Sequence, residues 1–254
     1  MNDTVELLKS GGISGPQDII FLIRYASLAG DKELLHLVGE TLREGCLIES
    51  SWLIYALVEY YEATGDEFAK TSAEFFLPRC GDAMTYNKAA RVFQKEEYLS
   101  VSQDPLALIE LYKATFNENH LKAAEGAAAL IEEHFSELFD ASAVYDINEP
   151  SANSCIAVLF DELARLTQSE RWLKARERQN RFIRLLHQKY PTNVSFGLCA
   201  LLGEEFGEQT IVVEGQAPEA LLHFYAPTTA LIVRPGEGTR VYVMKDGKLK
   251  EIMI

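Results

Sequence analysis

A chain of 254 residues with 48% hydrophobic and 24% charged residues carries enough apolar material for a sizeable core, which excludes a disordered or purely linking role. Its formal net charge of −14 repels phosphate backbones and anionic lipid, so neither a nucleic-acid partner nor a membrane partner is expected. No run reaches bilayer-spanning length, the opening MNDTVELLKSGG lacks the apolar stretch of a secretory signal, and Cys46, Cys80, Cys155 and Cys199 lie too far apart for a disulfide framework; a cytoplasmic setting is the expectation.

In chain order, helices are predicted near 17–29, 32–44, 50–64, 67–77, 86–96, 103–115, 118–135, 151–167, 169–189 and 194–205. Self-similarity groups them into pairs. FLIRYASLAGDKELL (21–35), ALVEYYEATGDEFAK (56–70), ALIELYKATFNENHL (107–121) and VLFDELARLTQSERWL (158–173) each read as an apolar helix, a short polar break and a second helix. Gly30-Asp31 and Gly65-Asp66 suit a left-handed glycine followed by an N-capping aspartate, the chemistry of a tight helix hairpin. Asn117 and Ser169 are the expected caps of the third and fourth pairs. From Asp31 to Asp66 is 35 residues and from Asp66 to Asn117 is 51, too irregular for a strict superhelical repeat. Pro16, Pro78, Pro105, Pro150 and Pro191 fall at or near helix starts and stops.

Two segments depart from the apolar pattern. Eight Lys or Arg residues lie between Arg165 and Lys189, with Arg171, Lys174, Arg178 and Arg181 along one helical stripe. On an acidic chain such a stripe reads as a solvated face or one paired with acidic neighbours. After Glu208 the segments TIVVEG (210–215), TALIVRPG (229–236) and RVYVMKDGKLKEIMI (240–254) are β-branched and short, the last with an Asp246-Gly247 turn. They predict a small sheet with one helix at 217–225, its edge blunted by Lys245, Lys248 and Lys250.

The most distinctive local run is VYDINEPSANSC, 144–155. Ser151 or Asn153 can cap the following helix, while Tyr145, Asp146 and Glu149 bring a phenol and two carboxylates together. Asp18, Glu49 and Asp104 also stand at predicted helix starts. They can supply paired carboxylates for glycoside chemistry, although acids favour helix starts for electrostatic reasons alone. Trp52, Tyr55, Tyr60, Tyr61 and Tyr112 offer stacking surfaces for a sugar ring or, at helical spacing, core. The five histidines are not ligand-spaced and no cofactor fingerprint is present, so neither a metal nor a cofactor is expected.

These residues carry a resemblance. The Tyr145-Asp146 pair followed by PSANS is similar to the Tyr-Asp…Pro-Ser-Gly-Asn-Ser element in the helical domain of the spermatogenesis-associated protein 20-like family, whose bacterial members include the YyaL proteins. GGISGPQDIIFLIRYASLAGDKELLHLVGETLREG (11–45) resembles that family's first hairpin and LIYALVEYYEATGDEFAKTSAE (53–74) its second. ALIELYKATFNENHLKAAEGAAALIEEHF (107–135) resembles a later one, and ARLTQSERWLKAR followed by TIVVEG the last hairpin and its strand. The resemblance implies a six-hairpin α/α toroid, related to N-acylglucosamine 2-epimerases and glycosidases, with inner-helix starts around a central cleft. Full-length relatives add a thioredoxin-like domain that is not seen here. The family's glycine, histidine and acidic run between the first two hairpins is reduced to GCLIESSW (45–52), and its Asp-Asp-Tyr-Ala motif falls on Leu99, Ser100, Val101 and Ser102.

The resulting expectation is a mainly α protein: a complete or incomplete α/α toroid of antiparallel hairpins over 1–208, with a small α+β tail over 209–254 packed on it. The expected function is that of a degenerate, non-catalytic family member binding a polar, carbohydrate-like small molecule or a protein. The candidate cleft residues are Tyr145, Asp146, Glu149, Ser151, Asn153, Asp104, Asp18 and Trp52. The alternatives are an active carbohydrate epimerase or hydrolase using paired carboxylates, and a tetratricopeptide-like interaction scaffold. An incomplete ring exposes an apolar edge, so self-association is also expected.

Overall fold

The computed structural model describes residues 12–13, 15–44, 50–78, 104–134, 145–146, 150–218, 221, 228–245 and 248–252. The helix expected at 86–96, most of that at 217–225, the Asp246-Gly247 turn, Glu49, Glu149 and Leu99–Ser102 lie outside these residues. Nine α-helices are described: α1 (Pro16–Ala29), α2 (Lys32–Glu44), α3 (Ser51–Thr64), α4 (Glu67–Phe76), α5 (Pro105–Thr115), α6 (Glu118–His134), α7 (Ala152–Thr167), α8 (Glu170–Lys189) and the short α9 (Leu202–Phe206). Four strands follow: β1 (Gln209–Glu214), β2 (Thr229–Arg234), β3 (Arg240–Lys245) and β4 (Lys248–Ile252).

The first eight helices form four hairpins with one recurring break. Gly30, Gly65, Phe116 and Gln168 all adopt the left-handed conformation at the helix end, with φ of 70°, 72°, 53° and 54°. The next residue opens the second helix: Asp31 Oδ1 accepts from the Leu34 amide at 3.0 Å, Asp66 Oδ1 from Phe68 at 3.1 Å and Asn117 Oδ1 from Asn119 at 3.1 Å. Ser169 departs from expectation, making no side-chain cap. Its amide donates to Thr167 Oγ1 at 3.2 Å, as the Asp66 and Asn117 amides donate to Thr64 and Thr115 at 3.3 Å.

Burial sorts each pair into an inner and an outer helix. α7 buries every residue from Ala152 to Leu166, α3 every residue from Ser51 to Tyr61 and α5 every residue from Pro105 to Tyr112. Helices apolar on nearly all sides must be enclosed. α8, by contrast, buries only Trp172, Ala175, Gln179, Asn180 and Ile183 of its 20 residues, one stripe at helical spacing. The inner helices pack in sequence, α1 on α3, α3 on α5 and α5 on α7, each backed by its own partner. The basic stripe of α8 meets acids: Arg171 Nε lies 2.7 Å from Glu132, Arg178 3.5 Å from Glu132, Lys174 2.6 Å from Glu170 and Arg181 3.3 Å from Glu177.

The single helix expected at 194–205 is a 3₁₀ turn over Gly197–Leu201 followed by α9. The Phe196 amide donates to Asp146 at 2.8 Å, which fixes the start of this segment. Gly197 then approaches so closely that an added Cβ would lie 2.9 Å from Ile183 and from Ser154 Oγ. The sheet has the order β2-β1-β3-β4, with β1 and β2 parallel and the other pairs antiparallel. Val212, Ala230 and Ile232 join the same apolar cluster as the helices, and β2 packs on α7. β4 is the outer edge and is exposed throughout, with Lys248 and Lys250 on it as expected, whereas Lys245 ends β3, an inner strand of the sheet.

Candidate ligand-binding cleft

Three inner helices start around one opening. Gln17, Ile20 and Phe21 from the first turns of α1, Trp52 and Tyr55 from α3, and Asp146 and Pro150 ahead of α7 line a mouth of about 420 Å³ with Ser195 and Phe196. The walls are aromatic. Trp52 meets Phe196 edge-on with centroids 5.5 Å apart and Tyr55 at 5.7 Å, and the Arg24 guanidinium lies 5.9 Å from the centre of the Tyr55 ring. Trp52 is only 6% exposed, and its indole Nε1 has no hydrogen-bond partner among the described residues. A buried donor in that condition is destabilising by about 1–3 kcal/mol unless something accepts from it.

Arg24, Tyr55 and Phe196 form a shared wall with a second, inner hollow of about 210 Å³. Charged side chains from four inner helices face it. Arg24 grips Glu59 with two nitrogens, its Nε lying 3.0 and 3.2 Å from the two carboxylate oxygens. Lys113 lies 2.9 Å from Glu110, and Arg165 2.6 Å from Glu162 and 3.1 Å from Asp161. Arg176 continues the chain, 3.5 Å from Asp161 and 2.6 Å from Glu208. Five carboxyl groups thus share four bases, and a sixth, Glu62, lines the same hollow.

The excess of acid shows in proton affinities. Burial raises the Glu62 carboxyl to about 8; Lys113 opposes the rise, and Glu110, Glu59 and Glu162 add to it. Burial likewise lifts Asp161 to about 7, against the pull of Arg165 and Arg176. Glu110 also rises because it is buried. Glu162 goes the other way: burial favours its neutral form, but Arg165 and Lys113 together hold its carboxyl below the ordinary value. Burial keeps the Tyr55 phenol protonated, far above its usual titration range.

Of the residues singled out from the sequence, Asp146 and Trp52 line the mouth. Asp146 is heavily engaged, Oδ1 accepting from the Ser151 amide at 2.7 Å and Oδ2 from Ser154 Oγ at 3.1 Å and the Phe196 amide. Ser151 caps α7 by accepting from the Ser154 amide at 3.2 Å. Asn153 is buried and accepts from Gln179 Nε2 at 3.0 Å. Tyr145 packs edge-on against Tyr190, centroids 5.0 Å apart. Asp104 caps its own helix, accepting from Leu106 at 2.9 Å and Ala107 at 3.4 Å; Asp18 sits in the first turn of α1. Neither lines either hollow. The described residues of this run thus chiefly cap α7 and tie its start to the 190–197 turn.

The inner charges were not singled out from the sequence as site residues. Their signal is a charge embedded in an otherwise apolar helix: Glu59 in SWLIYALVEYYEAT, Glu110 and Lys113 in PLALIELYKAT, and Asp161, Glu162 and Arg165 in ANSCIAVLFDELARLT. A buried charge demands a partner, so such positions point inward to one another. Among the described residues no group of three or more His, Cys, Asp or Glu is placed to hold a metal ion, and no helix is long and apolar enough to cross a membrane. Set against protein-family models and against curated proteins, the chain matches none.

Proposed function

We propose that the chain binds a small polar, carbohydrate-like molecule without turning it over, in the cleft of a trimmed α/α toroid akin to the helical domain of the spermatogenesis-associated protein 20-like family. The observation that carries this reading is the mouth itself. It is an aromatic-walled opening of about 420 Å³ with Gln17, Arg24 and Asp146 among its polar groups, rather than a cleft packed shut. That size and mixture suit a ligand of one or two sugar rings, stacked on an aromatic face and oriented by a few polar contacts. The toroid is supported by α1, α3, α5 and α7 all presenting side chains to one inner hollow. The absence of turnover is supported by Asp146, whose carboxylate is committed to three donors of its own chain.

The test is calorimetric titration and thermal shift of the whole chain with a panel of monosaccharides, disaccharides and sugar acids. At least one member at a hundredfold excess over its Kd raises stability by about 2.7 kcal/mol, a shift of several degrees. Trp52→Ala removes the effect. Absence of any shift or heat across the panel, in a chain that melts cooperatively, would sink the reading.

Glu62 and Asp161 favour a second reading, an active carbohydrate enzyme. Both carboxyls are lifted by burial and suit a proton donor, and the same inner hollow is lined by Glu162, which Arg165 and Lys113 hold ionised and which suits a base. Turnover of a panel glycoside or epimerisation of a sugar, abolished by Glu62→Gln and by Asp161→Asn, would establish it. A solenoidal interaction scaffold is separated from both by small-angle scattering, which reads an extended particle for a solenoid and a compact one for a ring.

A further inference from the structure

We propose that the inner hollow takes a small organic cation, a protonated primary amine, with Glu62 as the carboxylate it meets and Tyr55, Phe116 and Phe196 as its apolar wall. This goes beyond the sugar reading and does not depend on it, the two compartments being divided by Arg24, Tyr55 and Phe196. The first observation is space. At about 210 Å³ the hollow is larger than the roughly 150 Å³ that admits benzene, enough for an alkylammonium of a few carbons. The second is charge. Among the described residues, Glu59, Glu62, Glu110, Asp161, Glu162 and Glu208 stand against Arg24, Lys113, Arg165 and Arg176. Whichever of these groups Glu62 touches, two carboxylates remain in excess when all are ionised.

The excess selects the ligand. Each base is already held by a carboxylate: Arg24 Nε lies 3.0 Å from Glu59, Lys113 2.9 Å from Glu110, Arg165 2.6 Å from Glu162 and Arg176 2.6 Å from Glu208. An anion would have to break one of these pairs and would add to the negative sum. Water fills a polar hollow but brings no charge, whereas an ammonium brings one positive charge and three donors. Glu62 is the acid best placed to receive it. It lines the hollow and keeps accessible surface, while Glu59, Asp161 and Glu162 are no more than 9% exposed. Protons otherwise offset the excess. Burial raises Glu62 to about 8, with Lys113 opposing and Glu110, Glu59 and Glu162 adding to the rise. Burial raises Asp161 to about 7, with Arg165 and Arg176 opposing and Glu162 and Glu208 adding to it. An ammonium beside Glu62 takes the place of its proton, so binding releases that proton to solvent.

Butylammonium, 1-butanol and butyrate have nearly the same shape and differ in charge, and the amine stays protonated well above pH 8, as a lysine side chain does. Each is titrated by calorimetry into the whole chain at pH 6, 7 and 8. The expected result is butylammonium bound about tenfold tighter than butanol at pH 8, tightening about tenfold or more from pH 6 to pH 8, with butyrate weakest. The place of binding is read by carbon NMR of the labelled side-chain carboxyls, Glu62→Gln assigning the Glu62 signal. That signal titrates at about 8 in the chain alone and about one pH unit or more lower with butylammonium saturating. Glu62→Gln also removes most of the pH dependence of binding. Butanol or butyrate binding as tightly as the amine, an affinity flat with pH, or a Glu62 signal that titrates unchanged with the amine bound each overturns the proposal. So does the lack of any heat with butylammonium at high millimolar concentration in a folded chain. None of these outcomes bears on the sugar panel, whose own failure leaves the chemistry of the hollow untouched.

Discussion

Asp146 shows how one side chain joins distant parts of the chain. Its backbone amide donates to the Asn193 carbonyl at 2.6 Å, while its carboxylate gathers donors from Ser151, Ser154 and Phe196. Hydrogen bonds to an ionised acceptor contribute about 1.5–3 kcal/mol each and do not add independently. Asp146→Ala is therefore expected to lower unfolding free energy by about 3 kcal/mol in urea titrations, and Asp146→Asn by less, since an amide oxygen retains part of the set. Glu62 acts through its proton. Its carboxyl titrates at 4.5 when unconstrained and at about 8 in the fold, so across that window the native state holds a proton that the unfolded chain has released. Stability then falls as pH rises from about 5 to about 8, and Asp161, raised from 3.8 to about 7, adds to the fall. Glu162, held low, contributes the opposite sign, its stabilisation being lost as acid is added below about 4.5. Melting temperatures at pH 5, 6.5 and 8 test this. Glu62→Gln flattens the decline, and the same slope in variant and parent would refute the assignment.

At the level of the element, two glycines separate backbone strain from steric contact. Gly30 has φ of 70° and open space around the position of a Cβ, so Gly30→Ala costs only the left-handed conformation, about 1 kcal/mol. Gly39 lies in regular helix α2, but an added methyl would collide with the Tyr60 hydroxyl of α3, so Gly39→Ala forces repacking at about 1–3 kcal/mol. Paired denaturation curves separate the two, and equal costs would contradict the close α2–α3 approach. The hairpins were legible in the sequence because their breaks are local: a left-handed residue and a cap need only adjacent positions. Ser169 makes no side-chain cap although its amide meets Thr167 as those of Asp66 and Asn117 meet Thr64 and Thr115, and nothing in the structure explains the difference. The 194–205 segment misled because its geometry depends on Asp146, far away in sequence. The cleft was only partly legible for the same reason. Trp52 and Asp146 stand out locally, whereas Glu59, Lys113 and Arg165 acquire meaning only when α3, α5 and α7 face one hollow. Of the stacking aromatics, Tyr55 walls the mouth while Tyr112 is 1% exposed core.

Across the whole molecule the helices and the sheet share one apolar interior. Val212, Ala230 and Ile232 belong to the cluster that holds Leu57, Ile109 and Leu159, and Gln168 Nε2 donates to Thr210 Oγ1 at 3.3 Å across the junction. Thr229, Ala230 and Leu231 also wall the inner hollow. A chain ending at residue 208 therefore loses part of its core and one side of its cavity. It is expected to melt over a broad range at lower temperature, whereas the full chain unfolds in a single transition by calorimetry. Two separate transitions in the full chain would show that the parts are energetically independent.

The partition made by Arg24, Tyr55 and Phe196 couples the two compartments chemically. A ligand that draws the Arg24 guanidinium outward weakens its hold on Glu59, leaving that charge to act more strongly on Glu62 and Glu110, whose hold on protons it already strengthens. Docking in the outer compartment then takes up hydrogen ions in the inner one. Heats of association measured near neutrality in phosphate, imidazole and Tris, whose ionisation enthalpies differ, will diverge in proportion to that uptake, and identical heats would mean that the two compartments do not communicate.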